Sequence, residues 1–141
     1  MCRKWTSSLA PQFIVISPSL FTPALSSQAT YTEYESSPGC YRGFCRQCGS
    51  PLLWRSIRET ETVDFFIGTI DERWILGQIK PGTEMITEYG TLVDRTGGLG
   101  AELCTPNYRQ YYQENVIPGV TDLLKGGERY LTDTFNGEPL P

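Results

Sequence analysis

The segment Gly43-Phe44-Cys45-Arg46-Gln47-Cys48-Gly49-Ser50 gives the clearest structural signal in the chain. Two residues separate Cys45 from Cys48, and a glycine follows the pair. This spacing is typical of a tight turn that directs both sulfurs to one point, as a tetrahedral zinc site requires. Gly49 suits the turn because glycine readily adopts a left-handed backbone conformation. Two other interpretations stay open here, namely two half-buried structural cysteines or a redox dithiol.

The sequence on both sides of this segment predicts a β-hairpin. Residues 40–45 precede the cysteine pair, and residues 51–55, which read Pro-Leu-Leu-Trp-Arg, follow it. A redox pair of the thioredoxin kind sits where a strand leads into a helix, whereas the residues after this pair are typical of a strand. We therefore interpret the segment as a hairpin with a metal-binding tip. Structural zinc takes four ligands, so the pair supplies half a site.

Composition limits the classes of function. The chain has 141 residues with 20% charged and 12% aromatic side chains, which suits one folded domain. Its net charge of −4 argues against nucleic-acid and anionic-membrane partners, because phosphate groups are bound by basic surfaces. The sequence contains no histidine, which excludes histidine-based catalysis and histidine metal ligands. Without an apolar leader, we expect a cytoplasmic protein with reduced cysteines.

Apolar and β-branched runs predict further strands over residues 10–16, 30–35 and 62–70, joined with 40–45 and 51–55 in one antiparallel assembly. Residues 108–115 lack glycine and proline and are bounded by prolines, which predicts a short helix late in the chain. We expect one domain over residues 1–125 and an exposed tail over 126–141. Asp64 is expected to face solvent, and Asp71 with Glu72 to form a turn rather than acid–base machinery.

Three stretches of the sequence resemble one known family. Residues 42–52 are similar to its Phe-Cys-x-x-Cys-Gly-Ser knuckle, residues 67–71 to its Gly-Thr-(Leu/Ile)-Asp strand end, and residues 2–7 to its Cys-Arg-Lys-Trp-Thr-Gly segment. The family is the glutathione-dependent formaldehyde-activating enzymes, also called centromere-protein-V-like proteins. The later part of the chain resembles fungal members. The resemblance implies a mainly β fold of the β-tent, Mss4-like type, with antiparallel sheets and a zinc-knuckle hairpin, to which the sequence pattern adds the short C-terminal helix.

The resemblance also implies a chemistry. Members join formaldehyde to the thiol of glutathione and are classed with carbon–sulfur lyases. They hold a structural zinc with an N-terminal Cys-x-Cys and a later Cys-x-x-Cys, and a reactive zinc with a Cys-x-Cys-x-x-Cys motif. By this likeness, Cys45 and Cys48 match the structural pair, and Cys2 matches the last cysteine of the reactive motif. The other motif cysteines have no counterpart, so we expect an N-terminally truncated member with incomplete zinc sites. Cys40 and Cys104 are interpreted as buried thiols rather than replacement ligands.

Three functional hypotheses follow. The first is a zinc-dependent carbon–sulfur lyase-like enzyme that acts on the thiol adduct of a small carbonyl compound, with Cys2 as the catalytic remnant and glutathione as co-substrate. The second is an enzyme of the same fold in a fungal small-molecule pathway that does not use zinc. The third is a non-catalytic zinc-knuckle interaction protein. For the two enzymes the partner is a small molecule.

Overall fold

A computed structural model describes residues 3–133 and 137–141 of the chain. The chain divides into two compact units, Met1–Ile70 and Asp71–Pro141, which are described separately. Within the described residues, no helix is long and apolar enough to cross a bilayer.

The first unit is built on a five-stranded antiparallel sheet. After the short helix α1 (Arg3–Thr6), its strands are β1 (Phe13–Ile16), β2 (Tyr31–Ser37), β3 (Cys40–Cys45), β4 (Pro51–Ser56) and β5 (Glu59–Phe66). Their order across the sheet is β1-β5-β4-β3-β2, with every neighbouring pair antiparallel. The predicted mainly β, antiparallel fold class is therefore confirmed. Each predicted strand is present, although β5 ends at Phe66 and residues 67–69 form a turn of 3-10 helix.

One face of this sheet carries a cluster of aromatic side chains. Residues opposite one another in adjacent strands project to the same face, and side chains alternate between faces along each strand. Phe66 contacts Phe13, its partner in the register, at a ring-centroid distance of 6.4 Å. Trp5 of α1 lies 5.6 Å from Phe66 and 6.5 Å from Tyr34, and Tyr34 in turn lies 6.1 Å from Phe44. We call this side of the sheet the aromatic face.

The opposite face contains the apolar packing that anchors the hairpins. Leu53 and Val63 are buried there, and Phe65 contacts Phe21 with a centroid distance of 5.4 Å. Phe21 directly follows the 3-10 helix Pro18–Leu20, so the connection between β1 and β2 covers this face. The burial of apolar side chains on both faces makes the sheet the stable scaffold of the first unit.

The second unit consists of short elements. They are α2 (Glu72–Ile75), β6 (Gly77–Ile79), β7 (Met85–Thr87), β8 (Gly90–Leu92), β9 (Arg95–Gly97), α3 (Gly100–Leu103), β10 (Arg109–Gln110) and β11 (Glu128–Arg129). They form three two-stranded sheets, β6-β9, β7-β8 and β10-β11. The side chain of Asp71 caps α2 by accepting a hydrogen bond from the backbone of Arg73 at 3.0 Å, in line with its predicted turn role.

The predicted helix over residues 108–115 is wrong. Residues 109 and 110 form β10, and only Gln113–Asn115 make a turn of 3-10 helix. Tyr112 lies between them with a φ of 57°, in the left-handed region that a continuous right-handed helix excludes. The short helix of the C-terminal part is instead α3. A single domain over residues 1–125 stays a prediction.

Candidate active site

The cysteine pair lies at the tip of the β3–β4 hairpin, as predicted. Cys45 is the last residue of β3, and residues 46–48 form the turn. Two backbone hydrogen bonds close it, from Cys45 N to Ser50 O at 3.0 Å and from Gly49 N to Cys45 O at 2.8 Å. Gly49 has a φ of +79°, which an L side chain adopts only with strain. The sequence therefore folds here into a tight, hydrogen-bonded turn that brings the two thiols close together.

The Cys48 thiol is exposed and activated by its surroundings. Its sulfur lies 3.2 Å from Ser50 Oγ. Hydrogen bonds from the Ser50 side chain and backbone, and then from the Cys45 thiol, lower the pKa of the Cys48 thiol below its usual value. A lowered pKa favours the thiolate, which is the form that binds metal and attacks electrophiles. The turn thus presents one exposed, readily ionised thiol beside a half-buried one.

The zinc ligands suggested by the sequence can be tested against this geometry. Cys45 and Cys48 fit two of the four positions of a structural site. Within residues 3–133 and 137–141, however, the structure assembles no group of three or more cysteine, aspartate or glutamate side chains that can hold a metal ion. Cys2 lies outside the described residues. Cys40 is half-buried, whereas Cys104 is exposed, so the interpretation of Cys104 as a buried core thiol is wrong.

A polar row crosses the aromatic face. Tyr34 of β2 is paired with Arg42 of β3, Arg42 with Trp54 of β4, and Trp54 with Asp64 of β5. Directly paired residues share a face, so these four side chains lie side by side across the sheet. The row thus places a cation and a carboxylate on the aromatic face, two strands apart and separated by an indole ring.

Arg42 is partly desolvated. Its guanidinium lies under the Trp5 ring, 5.1 Å from the centroid. Its Nε and Nη1 atoms are buried, and neither has a hydrogen-bond partner. A guanidinium has five N–H donors and no acceptor, so a cation–π contact alone leaves the donors of these two nitrogens unsatisfied. Buried unsatisfied donors are rare in native proteins and cost free energy, which draws attention to Arg42.

Asp64 is half-buried on the same face, so the expectation that it faces solvent is wrong. Desolvation by burial, with a smaller contribution from the negative charge of Glu59, raises the pKa of Asp64 to about 7. The alternation of Asp64 with apolar neighbours suggested a solvent-facing position. That inference was wrong because both faces of β5 pack against apolar or aromatic groups.

The opposite face carries a closed polar network. Arg55 donates two hydrogen bonds to Glu33 Oε2, one from Nε at 3.1 Å and one from Nη2 at 2.5 Å. The Tyr31 hydroxyl also donates to Glu33, and the Arg55 guanidinium stacks on Tyr41 with a centroid distance of 4.2 Å. The hydrogen bond from Arg55 lowers the pKa of Glu33 more than its partial burial raises it. This network is internally satisfied, in contrast to the Nε and Nη1 atoms of Arg42.

The comparison with known proteins concerns the part of the chain that contains the cysteine turn and the polar row on the aromatic face. A family model described as "Glutathione-dependent formaldehyde-activating enzyme" matches residues 1–89, which is more than half of the 141-residue chain. The chain belongs to this family. Neither a curated protein nor a solved structure matches it.

Membership of the formaldehyde-activating family confirms the resemblance found in the sequence. The matched region includes the cysteine turn and all five strands of the sheet, and therefore also the row on the aromatic face. It associates the chain with glutathione-related chemistry of formaldehyde adducts. The structure brings Cys45 and Cys48 together as expected, and it adds Arg42 and Asp64, to which the sequence drew no attention as a pair.

Proposed function

We propose that the protein is a carbon–sulfur lyase-like enzyme that interconverts a thiol, formaldehyde and their hydroxymethyl thioether, with glutathione as the thiol. The family match over residues 1–89 is the observation that carries this proposal. The matched residues contain a charged and aromatic surface on which a small polar substrate can be oriented.

The proposed reaction needs no further reactant. In the forward direction the thiol sulfur adds to the carbonyl carbon, a carbon–sulfur bond forms, and the π electrons of the carbonyl move to oxygen. The proton lost from the thiol ends on that oxygen, so a thiol and formaldehyde give a hydroxymethyl thioether. In reverse the hydroxyl loses its proton, the carbonyl re-forms, and the carbon–sulfur bond breaks with its electrons on sulfur, which takes up the proton to regenerate the thiol. A protein accelerates this exchange by favouring the thiolate and holding both reactants in contact.

We place the reaction on the aromatic face. Trp5, Tyr34 and Phe66 form an apolar environment there, in which charges interact more strongly than in water. Cys2, the proposed catalytic remnant of the reactive motif, immediately precedes α1 in sequence, and α1 carries Trp5 onto this face. The proposal thus links Cys2 to the surface that carries Arg42 and Asp64.

We further propose zinc as the metal of this protein, with Cys45 and Cys48 as two structural ligands and Cys2 as a ligand of the reactive site. The lowered pKa of the Cys48 thiol and the shared turn support the first assignment. Zinc, when bound, lowers the pKa of a thiol and polarises a carbonyl oxygen. The two thiols form half of a site, and the part of the chain that the structure describes brings no group of three or more candidate ligands together.

Exchange of ¹³C-formaldehyde with its glutathione adduct, followed by magnetisation-transfer NMR, tests the proposal. We expect the protein to accelerate exchange above the spontaneous rate in proportion to its concentration, and Cys2→Ser to remove the acceleration. Cys104→Ser is the matched control, because Cys104 is exposed and lies in the other unit. A wild-type protein that does not change the exchange rate at any concentration would contradict the proposal.

The second hypothesis, catalysis without zinc, predicts a different response to metal removal. The same assay separates the two hypotheses after dialysis against a chelator. Loss of acceleration, restored by added Zn²⁺, supports the zinc mechanism, whereas unchanged acceleration supports the zinc-independent enzyme. A cytoplasmic location is proposed with either mechanism, since the chemistry depends on reduced thiols.

A further inference from the structure

Resting on the proposed function, we propose that the Arg42–Trp54–Asp64 row is a recognition site for the α-amino-acid end of the thiol substrate. Arg42 binds the carboxylate of that zwitterion, Asp64 binds its ammonium group, and the carbon between them lies over Trp54. The site therefore selects thiols that carry a free amino acid group, such as the γ-glutamyl end of glutathione or the end of cysteine itself.

The register sets the spacing of the two charges. Arg42 and Asp64 are both paired with Trp54, so they lie on strands two apart, and their backbones are separated by about 10 Å. Arg42 and Asp64 do not form an ion pair with each other. The ion pairs among the described residues are Arg55–Glu33, Arg73–Asp71 and Arg109–Glu128. The long arginine and short aspartate can approach one small molecule from opposite sides. An α-amino acid carries both complementary charges on one carbon and therefore matches this arrangement.

The Arg42 guanidinium needs hydrogen-bond acceptors, whereas the Asp64 carboxylate needs donors. Arg42 has buried donors at Nε and Nη1 with no acceptor. Among the described residues, no cation offsets the burial of the Asp64 carboxylate, on which the negative charge of Glu59 also acts. A carboxylate supplies acceptors to the arginine, and an ammonium group supplies donors to the aspartate. The opposite face shows the contrasting case, where Arg55 and Glu33 satisfy each other directly.

Binding at Arg42 requires Trp5 to move, because the ring covers the guanidinium. The helix that carries it, α1, is a single turn without a buried residue. Displacing Trp5 breaks its ring contacts with Tyr34 and with the buried Phe66, so the bound ligand must replace part of the cover over Phe66. A ligand carboxylate then replaces the ring as the partner of the guanidinium. Trp5 and Trp54 both change surroundings, so intrinsic fluorescence reports binding directly.

Unreactive thioethers test recognition separately from the reaction. The probes are S-methylcysteine, which has both charges, its N-acetyl derivative, which has only the carboxylate, and 2-(methylthio)ethylamine, which has only the ammonium group. S-methylglutathione and its N-acetyl derivative distinguish the γ-glutamyl end from free cysteine. Each is titrated against the full-length protein at pH 8, above the Asp64 pKa of about 7, with tryptophan fluorescence as the readout. We expect each singly charged probe to bind at least about tenfold more weakly than the matching zwitterion, since a hydrogen bond to a charged group contributes about that factor.

Two variants test which side chain binds which charged group of the ligand. Asp64→Asn should weaken the zwitterions but leave binding of N-acetyl-S-methylcysteine unchanged, and Arg42→Gln should weaken both. Arg58→Gln, which removes an exposed arginine from the same unit, is the control and should change neither. Equal binding of zwitterions and N-acetyl probes, or discrimination that survives in Asp64→Asn, would overturn the inference. Formaldehyde exchange that persists alongside such a result would show that the proposed function holds while this recognition site is wrong. Selective binding of the zwitterions without any formaldehyde exchange would show that the recognition site is right while the proposed function is wrong.

Discussion

Burial changes the acid–base behaviour of Asp64. A carboxyl group on a half-exposed strand would be expected to ionise near pH 4, yet desolvation on the aromatic face raises its pKa to about 7. Folding therefore binds a proton between these two pH values. Since the folded state binds more protons than the unfolded state in this window, the free energy of unfolding falls as pH rises through it.

We expect Asp64→Asn to remove this loss of stability. The wild-type contribution is fully present below about pH 4 and is lost as pH rises through about 7. At pH 8 the variant should be more stable than the wild type by roughly 3–4 kcal/mol, the equivalent of a rise of about three pKa units. Urea denaturation at pH 5 and pH 8 measures the difference. Asp94→Asn, at an exposed aspartate, is the control. If Asp64→Asn showed the same difference in stability between pH 5 and pH 8 as the wild type, the burial of Asp64 would be contradicted.

The alternation of residues along the sequence could not have identified Asp64 or Arg42. Alternation shows which residues share a face, but it does not show which face is covered. The aromatic face is covered because Trp5, far from β3 and β5 in sequence, packs against Phe66 and Arg42. The signal that was available is compositional: an arginine and an aspartate on strands otherwise rich in aromatic residues.

At the scale of elements, the β2–β3 pair depends on Gly43. A Cβ atom built on Gly43 would lie 2.7 Å from Cε2 of Tyr31, too close for a real contact, because the Tyr31 ring covers this position. The Tyr31 hydroxyl donates to Glu33, which is paired with Gly43 in the register and accepts from Arg55. The glycine thus makes room for the ring that completes the Glu33–Arg55 network.

We expect Gly43→Ala to destabilise the protein by about 1–3 kcal/mol, the usual cost of forcing an extra methyl group into packed structure. Gly68→Ala is a matched control, because a Cβ there meets no atom within 4 Å and the backbone does not require glycine. Urea denaturation of the two variants gives the comparison. Equal stability would mean that Tyr31 moves aside without cost.

The hairpins of the first unit could be predicted from sequence because local signals agree. Glycine and cysteine spacing defines the turn between β3 and β4, and the flanking residues favour strands. The elements of the second unit are two to four residues long, too short to show a period. The residues at 108–115 lacked helix breakers, but the left-handed Tyr112 interrupts them, and its conformation has no signature in the sequence.

At the scale of the whole molecule, the buried apolar residues are unevenly distributed. Among the described residues, Leu53, Val63, Phe66 and Ile67 are buried hydrophobic residues of the first unit, whereas Tyr130 is the one in the second. Two-stranded sheets such as β7-β8 are marginally stable in water. We expect hydrogen exchange, followed by mass spectrometry, to be slower by at least about tenfold in β3–β5 than in β7 and β8, since protection follows the local free energy of opening. Equal protection of the two regions would show that the small sheets are stabilised by more than their own pairing.

The metal content of the 141-residue chain is the remaining prediction at this scale. Two thiolates on one turn are preorganised for zinc, but two ligands hold the ion weakly compared with four because water fills the other positions. We propose that Cys2 belongs to a different site, and the described residues bring no third ligand to Cys45 and Cys48. After mild chelation we therefore expect well under one zinc per chain by elemental analysis, with Cys45→Ser lowering it further and Cys40→Ser, at a half-buried thiol on β3, leaving it unchanged. One zinc retained per wild-type chain and lost in Cys45→Ser or Cys48→Ser would show that other ligands complete the site. Structural zinc would then contribute to the free energy of folding, and removing it should lower the unfolding temperature.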